Sequence, residues 1–180
     1  MDVYLDSVES PAGPLAFAVD DTGALRLLTF LDGHYERTME EEIARAGMHA
    51  VRDTGRTARA RHELAEYTTG DRYQFSLPLA LIGSPWQLRV WQALTRIPFG
   101  KTRTYAQVAA MVDQPRATRA VGRANATNRL PLVVPCHRVL GSNGALTGFA
   151  GGMQIKQRLL EHEARLVGTV PATASGRAGG

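Results

Sequence analysis

The 180-residue sequence predicts a two-part α/β (α+β) protein: a small α/β unit over residues 1–82, a mainly helical unit over 83–168, and a disordered tail over 169–180. Three observations carry this prediction. Two β-type runs in the first half are joined by a hairpin-type turn. Two helix-capping patterns and a proline breaker lay out successive helices in the second half. The final residues are mostly Gly, Ala, Ser and Thr with one charge, Arg177, a composition that cannot build a core.

The strand-like runs are Leu15–Val19 and Leu25–Phe30, with Asp20-Asp21-Thr22-Gly23 between them as the turn. Helical patterns follow over 35–46 and 57–69, the second stopped by Gly70. Phe75, Leu77, Leu79 and Leu81 then alternate strictly, the period of a half-buried strand. No internal repeat is present.

The second unit opens with Ser84-Pro85-Trp86-Gln87, which supplies an N-cap serine, proline at the first helical position and glutamine three residues after the cap. This helix runs through Leu88, Trp91 and Leu94 to the stop at Pro98-Phe99-Gly100. Thr104-Tyr105-Ala106-Gln107 repeats the pattern, and Tyr105, Val108, Ala109 and Val112 form an i, i+3, i+4, i+7 stripe. Asp113-Gln114-Pro115 breaks that helix. A third begins at once, with Ala117, Ala120, Val121 and Ala124 as its stripe, and the pair reads as a helix-turn-helix.

Lys and Arg total 21 against 17 acids, a net +4 with a pI near 9.6, which permits nucleic-acid binding without requiring it. No apolar run approaches membrane-spanning length, and the N-terminus carries no secretory pattern. A single cysteine excludes an intramolecular disulfide and fits a reducing, cytoplasmic setting. His34, His49 and His62 are scattered among acids and arginines and read as solvated. With no cysteine ligands in the first half, no metal is expected there.

That one thiol, Cys136, is either an inert buried side chain or a nucleophile. Its neighbours His137 and Arg138 are groups that favour a thiolate, and Pro135 stiffens the chain before it. Adjacent side chains in an extended segment diverge, so His137 reaches the sulfur through a bridging water or a sharp bend. Glu163 lies in a stripe of the last helix with Leu159, Leu160, Leu166 and Val167, where a carboxylate needs a partner. Orienting a histidine is one use for it; pairing with Arg158 or Arg165 at the stripe's edge is the other. His162 reads as structural or solvated.

Arg116, Arg119 and Arg123, spaced by three and four, predict one basic face on the third helix, beside the small residues Ala120, Gly122, Ala124 and Ala126. In a helix-turn-helix such arginines supply phosphate contacts and the small residues permit close approach to a groove. Glycines 141, 144, 148, 151 and 152 form a loop whose backbone can approach a flat ligand, cradle a phosphate or simply connect. No P-loop spacing is present.

Pro135-Cys136-His137-Arg138-Val139, set among these landmarks, resembles the acceptor motif of the O6-alkylguanine-DNA alkyltransferases, and the resemblance runs from about Ser84 to Glu163. It implies an N-terminal ribonuclease-H-like α/β domain followed by a winged helix-turn-helix domain. It also implies a relay of Glu163, His137, water and Cys136, with His137 as general base through water and Asn128 bracing the active-site turn. Arg119 would fill the gap left by an extruded nucleotide, and Tyr105 would crowd its phosphate and protonate the leaving guanine. From sequence alone, a core position on the apolar stripe is the competing reading of Tyr105. The base would lie against Val139, Phe149, Ala150 and Gly151. Many relatives have tyrosine and serine where this chain has Phe149 and Ala150, so two hydroxyls are lost, and the smaller Ala150 would admit bulkier alkyl groups.

The function implied is single-turnover transfer of an alkyl group from guanine O6, with thymine O4 as a second source, to Cys136, with no cofactor. The expected partner is double-stranded DNA containing O6-alkylguanine, bound by a monomer able to sit side by side with others, and no membrane. A cysteine hydrolase would share the Cys-His-carboxylate set yet leave the helix-turn-helix unexplained. An alkylated-DNA-binding adaptor without chemistry would lack the acceptor cysteine. A transcriptional regulator would need an effector domain that the sequence does not show.

Overall fold

The structure is a computed structural model that describes residues 1–32, 38–149 and 151–168. They divide into two compact units: Met1–Ile82 with Arg129–Pro131, and Gly83–Asn128 with the chain from Leu132 onward.

The first unit is built on a four-stranded sheet of β1 (Asp2–Val8), β2 (Leu15–Val19), β3 (Leu25–Phe30) and β4 (His49–Val51), in the order β3-β2-β1-β4. β1 and β2 pair antiparallel with Leu5 opposite Ala18, and β2 and β3 with Phe17 opposite Leu28. β4 joins β1 in parallel, Val3 opposite Ala50. β1 escapes sequence reading because Asp2, Asp6 and Ser7 interrupt its apolar pattern, and β4 because all three of its residues are exposed.

Side-chain alternation gives the sheet two working faces. Val3, Ala18 and Leu27 pack with Met39 and Ile43 of α1 (Met39–Arg45). The opposite parity of β1 presents Asp6 to α2 (Thr54–Thr69), where Thr57 Oγ1 donates to it at 2.6 Å and Arg61 Nε at 2.7 Å. Both helices start at side-chain caps, Thr38 and Asp53, and Gly70 in the left-handed region closes α2. α1 begins at Met39 behind the Thr38 cap; the expected stretch over 35–37, His34 and the tail over 169–180 lie outside the described residues. α2 begins three residues earlier than its apolar pattern suggests, at Thr54 behind the Asp53 cap.

The alternating segment at Phe75 to Leu81 is not a strand. It makes one parallel bridge, Leu25 with Leu79, through Leu25 N–H to Pro78 O and Ala80 N–H to Leu25 O. Pro78 has no N–H to extend a ladder, and only Leu77 of the four apolar residues is fully buried.

The second unit holds α3 (Pro85–Leu94), β5 (Arg103–Thr104), α4 (Tyr105–Met111), α5 (Thr118–Ala126), a 3₁₀ turn (Cys136–Arg138), β6 (Val139–Leu140) and α6 (Met153–Val167). Complete capping boxes start α3 at Ser84 and α4 at Thr104. Asp113, at φ 58°, takes the left-handed turn between α4 and α5. α5 is fixed by both tryptophans of α3: Trp86 Nε1 donates to the Ala120 carbonyl at 3.1 Å, and Trp91 Nε1 to the Ala124 carbonyl at 2.8 Å. β5 and β6 pair in parallel, bringing Arg103 opposite Val139. Among the described residues no helix is long and apolar enough to cross a membrane, and no cluster of His, Cys, Asp and Glu could hold a metal ion.

Asp20 sets the β2–β3 turn. Its carboxylate accepts from Thr22 N–H (3.0 Å), Thr22 Oγ1 (2.6 Å), Ala24 N–H (3.0 Å) and Arg26 Nε (2.9 Å). Asp20→Ala leaves the buried Ala24 N–H unsatisfied and is expected to lower stability by about 1–3 kcal/mol, read as a fall in the urea midpoint at unchanged m-value.

Candidate active site

Cys136 opens the 3₁₀ turn, directly after Pro135, and is buried. The turn is the sharp bend that an extended segment would lack, so Cys136 and His137 need not point to opposite sides. Burial pushes the Cys136 thiol up to about 11, against the Asn128 side chain, the Lys156 charge and the backbone N–H groups of Cys136 and His137, which all favour the thiolate. The resting sulfur is therefore a thiol in a site that already holds thiolate-stabilising groups.

His137 and Glu163 lie fully inside the unit. His137 Nε2 is 2.7 Å from Glu163 Oε1. Burial raises the Glu163 carboxyl, but His137 and Arg138 outweigh it and hold the group well below the ordinary carboxylate range. An ionised carboxylate only accepts, so Nε2 carries the hydrogen and Nδ1 keeps its lone pair. Burial lowers the His137 pKa, with Arg138 and Lys156 acting the same way and Glu163 opposing, so the ring is neutral near pH 7. Nδ1 is buried and has no hydrogen-bond partner among the described residues.

Glu163 takes neither Arg158 nor Arg165. Its cation is Arg138, whose Nε lies 2.9 Å from Oε2 and Nη2 2.9 Å from Oε1, while Nη1 donates to the Ile97 carbonyl at 2.6 Å. Gly100 N–H donates to Oε2 at 3.0 Å. Gly100 sits at φ +72°, and a Cβ there would fall 2.5 Å from Val167 Cγ2, so only glycine serves at this position. Val167 itself is exposed at the helix end and is not part of the buried stripe. His162 is buried, edge-on to Phe99, with Arg165 Nη2 3.3 Å from its Nδ1.

Asn128 Nδ2 donates to the Val134 carbonyl at 2.8 Å, bracing the turn ahead of the cysteine. Asn125, absent from the sequence-derived set, sends Nδ2 to the Cys136 carbonyl at 3.4 Å from the buried side of α5. Tyr105 is half-buried rather than in the core, and its hydroxyl donates to the Thr147 carbonyl at 3.2 Å. Burial and the neighbouring Cys136 raise its pKa against hydrogen bonds to Thr147 and Asn125, so it stays protonated. Lys156 is the second residue missed: it is fully buried, with Nζ donating to the carbonyls of Val139 (2.5 Å) and Thr147 (2.7 Å).

Val139, Phe149 and Gly151 are buried, and Ala150 lies outside the described residues. Arg119 and Arg123 lie one turn apart on α5 and are exposed, whereas Arg116 belongs to the turn before the helix, because α5 starts only after Ala117. Ala120 and Gly122 are half-buried. A Cβ on Gly122 would meet only the Tyr105 ring, at an ordinary 4.0 Å, so internal packing does not demand glycine there.

Residues 85–165 match the family model of the 6-O-methylguanine DNA methyltransferase DNA-binding domain. The constitutive methylated-DNA–protein-cysteine methyltransferase of Bacillus subtilis is 45% identical over 161 residues, covering 89% of this chain and 94% of that protein. The chain belongs to the methylated-DNA–protein-cysteine methyltransferases. The member from Methanosarcina barkeri is 40% identical, over 89% of this chain and 97% of its own. Among solved methyltransferase structures, Mycobacterium tuberculosis OGT in complex with DNA superposes with a TM-score of 0.79 at 37% identity, covering 94% of this chain and 96% of that one.

In this methyltransferase both His137 and Glu163 have folded-state pKa values below their ordinary ones, near 6.5 and 4.5. The unfolded chain takes up their protons first, so their contribution is complete above pH 6.5 and is lost as pH falls. The melting temperature is expected to decline from pH 7 to pH 5 through His137, and the His137→Gln variant to show a flatter profile over that interval.

Proposed function

We propose that the chain repairs duplex DNA by moving the alkyl group from guanine O6 to Cys136, once per molecule and without a cofactor. The observation that carries this reading is the His137–Glu163 pair: a buried anion fixes the imidazole tautomer, leaving a basic nitrogen on the residue next to the chain's one thiol. Membership of the methylated-DNA–protein-cysteine methyltransferases supports it.

The thiol proton passes to His137 Nδ1 through a bridging water, and the sulfur attacks the alkyl carbon in line. The S–C bond forms as the C–O6 bond breaks, and the electron pair goes to the guanine. Tyr105, kept protonated by its burial, gives a proton to the departing base and regains one from His137. The product is a thioether, and with a single cysteine nothing in the chain can regenerate it. A target base stacked in a duplex must be extruded to reach a buried sulfur. Arg119 would occupy its place in the stack, and Val139, Phe149, Ala150 and Gly151 would line its pocket.

Residues 83–168 act in this reading as a winged helix-turn-helix domain with α5 entering the groove. They hold twelve Lys and Arg against three Asp and Glu, an excess larger than that of the whole chain. The spare room at Gly122 supports close approach of the α5 backbone to DNA. Residues 1–82 are read as a ribonuclease-H-like domain, supported by an antiparallel three-stranded meander extended by a parallel fourth strand. The protein works as a monomer that can bind side by side on DNA.

Intact mass after mixing with a duplex containing one O6-methylguanine is expected to rise by a single methyl, mapped to Cys136 and saturating at one per molecule. Turnover beyond one equivalent would support a hydrolase, and tight binding at unchanged mass an adaptor. Arg119→Ala and Arg123→Ala should each weaken binding and reduce the slope of log K against log salt by about 1 where the lost contact is a phosphate.

A further inference from the structure

Arg89, on α3, is exposed, yet its side chain has a set position. The guanidinium lies over the ring of Trp86, one turn earlier in the helix, 5.4 Å from the centroid. That indole has its own tie, since Nε1 donates to the Ala120 carbonyl of α5 at 3.1 Å. Gln87 adds a second link, its Nε2 donating at 2.8 Å to Oγ1 of Thr127, the C-cap of α5. The first turn of α3 therefore packs alongside α5, and Arg89 is registered to that helix through an aromatic ring.

The charge around it has one sign. Residues 83–112 carry Arg89, Arg96, Lys101 and Arg103 and no Asp or Glu. Arg96 donates to the Met111 carbonyl at 3.2 Å, and Arg103 to the Thr102 carbonyl at 2.8 Å. Arg89 makes no ion pair among the described residues. Stacking on tryptophan orients a guanidinium through its face and leaves the N–H groups at its edge free. The result is a donor fork of fixed direction, the geometry that recognises a phosphate. A helix lying in a groove has a sugar-phosphate backbone on either flank, and the element packed beside that helix meets one of them.

We infer that Trp86 and Arg89 form a second phosphate-contacting element, with which α3 holds the DNA backbone beside the groove that α5 enters. The inference rests on α5 being the helix that meets the duplex and adds a contact from a different element. Trp86 acts as a positioning residue: it sets the offset between the Arg89 guanidinium and the backbone of α5. Arg89 reads charge and not base sequence, so it serves damaged and undamaged duplexes alike.

The test is binding by fluorescence anisotropy over a range of salt, to one undamaged duplex and one containing a single O6-methylguanine. In Arg89→Ala the affinity is expected to fall about tenfold at about 0.1 M salt, and the slope of log K against log salt to drop by about 1, equally on both duplexes. Arg89 is exposed, so the variant folds, and an unchanged urea midpoint confirms it. Methylphosphonates placed one at a time in the undamaged duplex then remove single phosphate charges. At one phosphate the parent is expected to lose affinity while Arg89→Ala loses none further. A salt slope unchanged in Arg89→Ala, or the lack of any such phosphate, would overturn the inference. Arg123→Ala separates that failure from failure of the underlying reading. Weaker binding there, beside parent-like binding in Arg89→Ala, removes the α3 contact alone; parent-like binding in both removes α5 from the interface as well. Methyl transfer to Cys136 is read independently, by intact mass.

Discussion

One buried carboxylate organises the second unit. Glu163, on α6, accepts from the imidazole of His137, from two nitrogens of the Arg138 guanidinium and from the backbone of Gly100. Two chain segments far apart in sequence, at Gly100 and at His137–Arg138, therefore converge on two oxygens of a third. Removing one partner of a buried ion pair typically costs about 3–5 kcal/mol, so each of these groups holds the others in place. The same bond that organises the fold selects the imidazole tautomer, which gives a packing interaction a chemical consequence.

Around that anchor the site separates two electrostatic tasks. Arg138 keeps Glu163 ionised, and burial keeps His137 neutral, so the pair can accept a proton near neutral pH. The thiol is suppressed by burial in the resting protein, yet backbone N–H groups, Asn128 and Lys156 already surround the position where charge develops. Such preorganisation keeps the nucleophile quiet towards small electrophiles in solvent and leaves the stabilising groups ready for a substrate that fills the site. α5 bears both halves of the arrangement. Its outer face carries Arg119 and Arg123, and its inner face sends Asn125 to the Cys136 carbonyl.

Much of this was legible because local chemistry and tertiary structure agree. The caps at Ser84 and Thr104 work through contacts within four residues, so they form whatever the rest of the chain does. The alternating leucines before Ile82 were misleading, since periodicity records which residues are apolar and says nothing of the missing N–H at Pro78. β4 offers no apolar pattern at all; its pairing with β1 is a long-range event. Arg138 and Lys156 were hidden for another reason. A cation in a sequence defaults to solvent, and its burial depends on partners elsewhere in the chain. A signal for Lys156 did exist: with Leu159, Leu160 and Glu163 it falls at i, i+3, i+4 and i+7, the register that also drew attention to Glu163.

The chain has two tryptophans, and both donate their indole N–H to α5 carbonyls. Indole emission responds to hydrogen bonding and to the field of nearby dipoles, and here both chromophores are wired to the backbone of a single helix. The protein thus carries a built-in optical gauge of that helix, read without a label by exciting tryptophan selectively over the five tyrosines. A displacement of α5, whether on meeting DNA or after the sulfur gains its alkyl group, changes two indole environments together. Events at the nucleic-acid face can be followed in real time by the colour of the protein's own fluorescence.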